Sequence, residues 1–543
     1  MNWHVVLFRV AGVLAVLGAT DAFRYPLPSS STLGSSSSSS SKNLLSKLGS
    51  TTAAKSQAVT TREETKEKNE EQIDWNKQWY PVLSLKHTDE GRAQPVQLLG
   101  KDLVVWRNKE GRWSCFDDRC PHRAAPLTEG RVEKDGALMC AYHAWRFDAD
   151  GKCLSIPQSE RGGRDEAQPK ACAKVYPTQV AQDIIWVWGE NGPDAALESA
   201  MSSPALLQVP PGKKVIAGAV TQRELPYGWE FFVENVMDSS HVGVSHHGIM
   251  GSRYDIKPHA LELVGGSLSK KGFAVTAGST MGPGRYSLSF IAPFLVEIGA
   301  EKLEDRTFQL VLHNIPTRPG WSRMIAYQAS FVPEDSNAKG NMLIRSTPGG
   351  IQPHDLPDWL QHILGHKFMA QDLVFLHHQE RTLAASGIDS HNYRNAVYVP
   401  TADDIGVVNQ KKWIANFAGG GPDWVAGCDR TVPPKERKRD ALQDVYEQHT
   451  KSCTACLGAL KRVKQLLTAA KTSAVVSLAW AVLRASRASS ASTLTSVLAR
   501  NRFMLRAMFP GLAMTFASLA AIKVLETLRK TFYTSPFHHQ DND

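Results

Sequence analysis

Hydrophobic and polar positions along this chain change their rhythm several times, and each change marks a boundary. Val10–Ala19 is a short apolar core behind Arg9, ending in small residues near Ala22. It is too short to span a bilayer and suits a signal peptide over 1–22. Phe23–Arg62 then has no Asp or Glu, several Lys and Arg, and a serine run at Ser35–Ser41. That stretch cannot bury a core and suits a plastid transit peptide over 23–70, with Phe23 at the junction. The alternative, a secreted chain with a disordered linker, fits free thiols poorly.

From Trp75 the texture becomes β-like. Short apolar runs fall at Tyr80–Leu85, Val96–Leu99, Leu103–Arg107, Trp113–Phe116 and Ile184–Trp188, punctuated by Gly91, Gly100, Asn108 and Gly111. They predict a small all-β domain over 75–200, with Pro204–Pro211 as a linker. An α+β region over 205–428 opens with a helix candidate at Trp229–Asp238. It continues through strand-like Phe308–His313 and Met324–Phe331 and closes with a helix candidate at Leu356–Thr382. After Arg430 the chain turns basic, and 429–543 carries two apolar stretches, Ala474–Leu483 and Ala507–Ile522. Both are shorter than the ~20 residues of a spanning helix. Arg506 and Lys523 flank the second and can snorkel, and Pro510 is tolerable near a helix start.

Composition changes this picture little. A chain of 543 residues exceeds one ordinary core, which predicts two folded domains plus extensions. The net charge of +9 is modest, and no basic cluster alternates with stacking aromatics. The charge therefore points to a membrane surface or an acidic partner and not to nucleic acid. The eight cysteines form no dense disulfide pattern, which favours metal and redox use.

The chemistry begins at Cys120-x-His122, followed after seventeen residues by Cys140-x-x-His143. Two thiolates and two imidazoles suit a Rieske-type [2Fe–2S] cluster, with cysteines on one iron and histidines on the other. Neutral imidazole donates less charge than thiolate, which raises the potential. Pro121 stiffens one loop, and Gly130 and Gly136 allow the turn between the loops. Zinc is the competing occupant, but zinc fingers usually order their ligands Cys, Cys, His, His. Cys115, Cys153 and Cys172 read as buried core thiols.

A second set follows at Asp238-x-x-His241-x-x-x-x-His246. Two imidazoles and a carboxylate form the facial triad of non-haem Fe(II) oxygenases, which leaves positions open for O2. Asp372 is the best distant carboxylate, and His247 competes with His246. His362 and His366 form a rival i,i+4 metal pair, whereas His377 and His378 read as structural or solvated. A cluster that delivers electrons needs a site that consumes them, which raises the standing of this motif.

Trp75–Val82, Leu98–Arg107, Cys120–Arg131, Cys140–Asp148, Ile156–Gln158, Glu234–His247 and Gln371–Glu380 together resemble the pheophorbide a oxygenase and chlorophyllide a oxygenase-like family of plastid Rieske non-haem iron monooxygenases. Ala144 departs from the family's usual glycine after the second cluster histidine. The resemblance implies a Rieske β domain, then a helix-grip α/β catalytic domain, and a head-to-tail homo-oligomer, commonly a trimer. Asp238 would bridge the cluster of one subunit and the mononuclear iron of the next, with Asn235 beside that iron. It also implies ferredoxin as electron donor, O2, a chlorophyll-derived tetrapyrrole substrate of the pheophorbide a type, and a plastid membrane reached by two short C-terminal spanning helices. The alternatives for function are an oxygenase on chlorophyllide, protochlorophyllide or another plastid substrate, and a membrane redox sensor or translocon-associated Rieske protein. A soluble or interfacial hairpin is the alternative for those helices.

Cys453-x-x-Cys456 falls on one helical face at a separation a disulfide can bridge with modest distortion. One reading is a switch operated by thioredoxin, and the other is two packing thiols. With no second ligand pair nearby in sequence, the spacing does not predict zinc.

Overall fold

The computed structural model describes residues 72–541, apart from 250, 279–284, 301–308, 336–355 and 492–496. The expected presequence segments, 1–22 and 23–70, lie outside the described residues. One compact unit holds Glu67–Asp543. Its architecture is α+β: an all-β part, a mixed α/β part and a pair of long C-terminal helices.

The all-β part is built from three small antiparallel sheets. In the first, Ile184–Trp188 lies between Trp79–Ser84 and Thr178–Ala181. Both of its faces are covered, which explains why IIWVW is an unbroken apolar run where alternation would be expected. The second sheet orders Gln94–Leu98, Lys101–Arg107, Trp113–Asp117 and Val175–Tyr176. The third is made of the short strands Arg131–Val132, Leu138–Met139, Arg146–Phe147 and Cys153–Ser155.

The mixed part centres on an eight-stranded antiparallel sheet. Trp321–Pro333, 13 residues long, lies next to one edge of the sheet. Gln309–Arg318 pairs with one side of this strand, and Lys213–Ala217 and Thr221–Leu225 share the other. Helix α1 (Trp229–Met237), helix α2 (Val242–Ser245) and helix α3 (Asp358–Ala385) complete the site-bearing layer. Leu373 and Leu376 of α3 pack on Leu225, Phe231, Phe232, Leu312 and Met324, so the sheet grips the helix as the expected helix-grip arrangement requires. Helix α4 (Ile405–Phe417) backs α1.

Two expectations change. The β and α/β parts each have an apolar cluster of their own, but they are not separate throughout, because a larger cluster spans both. That cluster runs from Trp79, Tyr80 and Trp186 through Phe294, Ile315 and Trp413. Main-chain bonds also cross, Leu99 N–H to Pro316 O at 3.0 Å and Gly100 N–H to Thr317 O at 2.7 Å. Nor is Pro204–Pro211 a free linker. Leu207 is buried, and the Gln182 amide bonds its N–H and C=O at 3.1 and 2.9 Å.

The C-terminal stretches are also longer than expected. They lie inside helix α5 (Thr454–Ala491, 38 residues) and helix α6 (Val497–Thr531, 35 residues), each long and apolar enough to cross a membrane. Pro510 sits well inside α6, not at its start. Small residues line the seam between the helices. Ser477 Oγ lies 2.8 Å from Thr515 Oγ1, and Ser473 Oγ lies 3.0 Å from Ser518 Oγ. Val475, Val476, Trp480, Phe509 and Phe516 point outward. Small polar groups inside and large apolar groups outside is the packing pattern of helices in lipid.

Candidate active site

Cys120 and His122 sit on the loop after Trp113–Asp117, and Cys140 and His143 sit on the loop between Leu138–Met139 and Arg146–Phe147. The loops share one backbone design. Cys120 C=O accepts from Ala124 N–H at 2.9 Å, and its N–H donates to Ala125 O at 2.8 Å. Cys140 makes the matching bonds with Ala144 and Trp145 at 3.1 and 2.9 Å. Ala124 and Ala144 both have φ of 58°, so each loop turns through the left-handed region. A glycine would relax that turn at Ala144. Gly130 lets the loops approach, since a Cβ there would lie 2.1 Å from Met139 O.

Both cysteines are buried, and burial pushes the Cys120 thiol up to about 11, with Cys140 adding to the shift. The histidines are nearer solvent, their rings 4.6 Å apart and His122 stacked on Trp145. Cys115 and Cys153 are buried as expected, but Cys172 is partly exposed because it ends a surface turn.

The second site forms where α1 ends. Asp238 caps α1, His241 and His246 flank the single turn of α2, and α3 brings Asp372. His246 Nε2 lies 3.0 Å and His241 Nε2 3.8 Å from Asp372 Oδ2. Each ring is fixed through its other nitrogen. His246 Nδ1 pairs with Gln371 Oε1 at 2.9 Å, and His241 Nδ1 with the Asp238 carbonyl at 2.5 Å. Both acceptors require N–H at Nδ1, which leaves each Nε2 lone pair facing the site. Ser245 Oγ donates to Asp372 Oδ1 at 2.5 Å, so Oδ2 is the oxygen left to the histidines. His246 Nε2 is buried and makes no aligned hydrogen bond. This donor set fits a divalent iron.

Burial works to raise the Asp372 carboxyl, but His246, His241 and Ser245 outweigh it and hold it below the usual range. The same holds for Asp238 against His241 and Ser240. Burial opposes the charged form of His241, yet Asp238 and Asp372 raise it. Asn235 Nδ2 lies 3.3 Å from His241 Nε2, and Phe368 stacks on His246 at 3.7 Å. His247 points elsewhere, its Nδ1 accepting from Arg253 N–H at 3.1 Å beside Tyr254. His377 is structural: Nδ1 bonds Pro226 O at 2.6 Å and Nε2 accepts from Glu436 N–H at 2.9 Å. Sequence reasoning missed Gln371, Ser245 and Phe368. Gln371 had a signal, as the amide next to a candidate ligand.

His362 and His366 do not serve the Asp372 site. His362 joins His449, Cys453 and Cys456 in a separate buried group, which corrects the expectation that no ligand pair lies near the two cysteines. His449 is close to the cysteines in sequence, His362 reaches them through tertiary folding, and His366 packs its ring against that of His449 at 4.4 Å.

A β domain with paired Cys/His loops, joined to a sheet and helix that gather two histidines and an aspartate, makes this a Rieske-type non-haem iron oxygenase. The Rieske [2Fe-2S] domain family matches residues 78–177, and the pheophorbide a oxygenase family matches 290–389. "Pheophorbide a oxygenase, chloroplastic" of Oryza sativa subsp. japonica is 32% identical over 430 residues, 76% of this chain and 78% of that protein. "Flavonoid 8-hydroxylase 2, chloroplastic" of Ocimum basilicum is 32% identical over 425 residues, 74% of this chain and 76% of that protein. "Protochlorophyllide-dependent translocon component 52, chloroplastic" of Arabidopsis thaliana is 28% identical over 447 residues, 74% of this chain and 76% of that protein. The chain belongs to the pheophorbide a oxygenase family of Rieske oxygenases.

Proposed function

We propose that this chain is a plastid-membrane monooxygenase that oxidises a chlorophyll-derived tetrapyrrole of the pheophorbide a type, with ferredoxin as electron donor. The observation that carries the reading is the pheophorbide a oxygenase match over 290–389, which includes all of α3 with Asp372. The apolar α5–α6 pair favours a membrane setting, where a lipophilic ring system partitions. The named relatives are chloroplast proteins, which supports a plastid address and a presequence in two parts, 1–22 and 23–70.

The division of labour follows the chain: 75–200 for the cluster, 205–428 for oxygen chemistry and 429–543 for the membrane. Cys120 and Cys140 would hold one iron of the cluster and His122 and His143 the other. His241, His246 and Asp372 would hold the mononuclear iron. When bound, these groups supply single electrons and oxygen activation. Gln371 and the Asp238 carbonyl hold the two imidazoles in one tautomer, and Phe368 shields His246 from water. The solvent-facing His122 and the partly exposed Asp238 suit a contact between neighbouring copies, as a head-to-tail trimer needs. Asp238 is then the bridging residue and Asn235 the polar neighbour of the iron.

Oxygen uptake by the full chain with reduced ferredoxin and pheophorbide a tests the reading. Uptake matched by oxygenated tetrapyrrole is expected. The basil relative, equal in identity to the rice one, favours a second reading, a flavonoid substrate. Hydroxylated flavone in place of tetrapyrrole product would establish it. No uptake with any substrate would leave a membrane redox protein related to the translocon component.

A further inference from the structure

We propose that Cys453, Cys456, His449 and His362 form a closed zinc site that ties the C-terminal helices to the helix carrying Asp372. The four ligand atoms lie within 4.8 Å of one another, and all four residues are buried. Cys456 Sγ lies 3.2 Å from His449 Nε2 and 3.3 Å from His362 Nδ1. Cys453 Sγ lies 3.6 Å from the same His362 nitrogen. Both cysteines are free thiols.

The surroundings prepare the site for a cation. His449 Nδ1 meets the Gln222 carbonyl at 2.5 Å, which fixes N–H there and turns the Nε2 lone pair towards the sulfurs. Cys453 precedes the first residue of α5 and Cys456 lies in its first turn, so one chain reversal presents both sulfurs. Ile363, Leu460, Val463, Leu528 and Phe532 form an apolar shell around them.

Zinc is the ion that this donor set selects. Two thiolates and two neutral imidazoles are a tetrahedral Cys2His2 set, which occupies every position and leaves none for substrate. Binding ionises two thiols and releases two protons to solvent, and the complex of Zn2+ with two thiolates is neutral. A neutral complex is the form that an apolar pocket tolerates. A disulfide would use the cysteines alone and leave two buried imidazoles facing sulfur without a charge to bind. The site is structural: its ligands come from α3, from the turn before α5 and from α5 itself. His362 stands ten residues, about 15 Å, before Asp372 on α3.

The test uses the full chain purified in detergent without added metal. Elemental analysis is expected to find about one zinc per chain beside the iron, and X-ray absorption to show two sulfurs near ~2.3 Å and two nitrogens near ~2.0 Å. Cys456→Ser and His449→Ala should each lower zinc at least about tenfold with the cluster's visible spectrum kept. His449→Cys should retain zinc, and His246→Ala should leave it unchanged. The proposal falls if zinc is substoichiometric while Cys453 and Cys456 are readily alkylated or joined as a disulfide. It falls equally if iron fills the site, or if zinc disappears with His246→Ala. The wild-type measurements decide the matter even where a variant fails to fold.

Discussion

Gln371 holds His246 from the side opposite the candidate iron position, its Oε1 2.9 Å from Nδ1. Gln371 is also the residue immediately before Asp372, so one turn of α3 supplies both a ligand and the group that orients another. Gln371→Leu keeps the bulk of the side chain and removes the acceptor. The imidazole then loses its fixed tautomer. Iron affinity at the mononuclear site is expected to fall about 10–100-fold. Titrating Fe(II) into the variant while recording the cluster spectrum checks this. Unchanged affinity would show that the His246 tautomer is held by other means.

Asp238 has a different task. Its carboxylate faces His241 Nδ1 at 3.6 Å and accepts from Ser240 N–H and Oγ at 2.9 and 2.7 Å. Asp238→Ala should reduce coupled turnover by at least about 100-fold, the scale of a lost transfer group. Cluster spectrum and iron content should stay as in the parent. Full activity would end the bridging role. Its depressed folded-state value means that the carboxylate's contribution is present above the ordinary aspartate range and lost as pH falls through that lower value. Acid inactivation should therefore begin below the usual aspartate range.

Much of this was legible in the sequence, and the exceptions have a common cause. Ile184–Trp188 and the helix at Trp229 were marked by local patterns, which need no tertiary information. The cluster loops were legible because all four side chains lie within one short segment of chain. Asp372 could be guessed, but nothing local distinguished His246 from His247. Only the packing of α3 turns one towards Gln371 and the other towards Arg253. The site at Cys453 and Cys456 was missed because His362 lies on a different element and meets them only after folding, although His449 stands just four residues before Cys453. Pro204–Pro211 misled for a related reason, since proline marks irregular backbone but cannot show that Gln182 pins it.

Lys411 anchors the helix that delivers Asn235 and Asp238. It is buried on α4, with its ammonium 2.7 Å from Glu230 and 2.5 Å from Glu234, both on α1. Burial works against its charge, but the two glutamates outweigh that and raise its pKa. A raised lysine contributes fully below its unfolded value, so the clamp is complete at neutral pH and is lost only as strong alkali passes the folded value. Lys411→Met leaves the buried Glu234 and the partly exposed Glu230 without their cation and should cost about 3–5 kcal/mol. Denaturant unfolding at pH 7 measures it. A cost under ~1 kcal/mol would mean that water or Gln379, 2.7 Å from Glu234, takes over.

The last prediction concerns the pair of helices that joins the oxygenase to its proposed membrane. Gly511 of α6 lies against α5 so closely that a Cβ there would stand 2.7 Å from Ala481 Cβ and 2.9 Å from Ser477 O. That approach permits the Ser477–Thr515 and Ser473–Ser518 contacts. In lipid no hydrophobic effect drives the helices together, and close backbone packing with such polar contacts does so instead, each contact contributing about 0.6–2 kcal/mol. Gly511→Leu should force the helices apart. Cysteines placed by Ser477→Cys and Thr515→Cys should cross-link readily in the parent and poorly in the variant. Equal cross-linking would show that the pair is held from its ends, where Phe532 packs beside Cys456, and not along its seam. The oxygenase core, whose apolar cluster includes no residue of either helix, should keep its cluster spectrum in both cases.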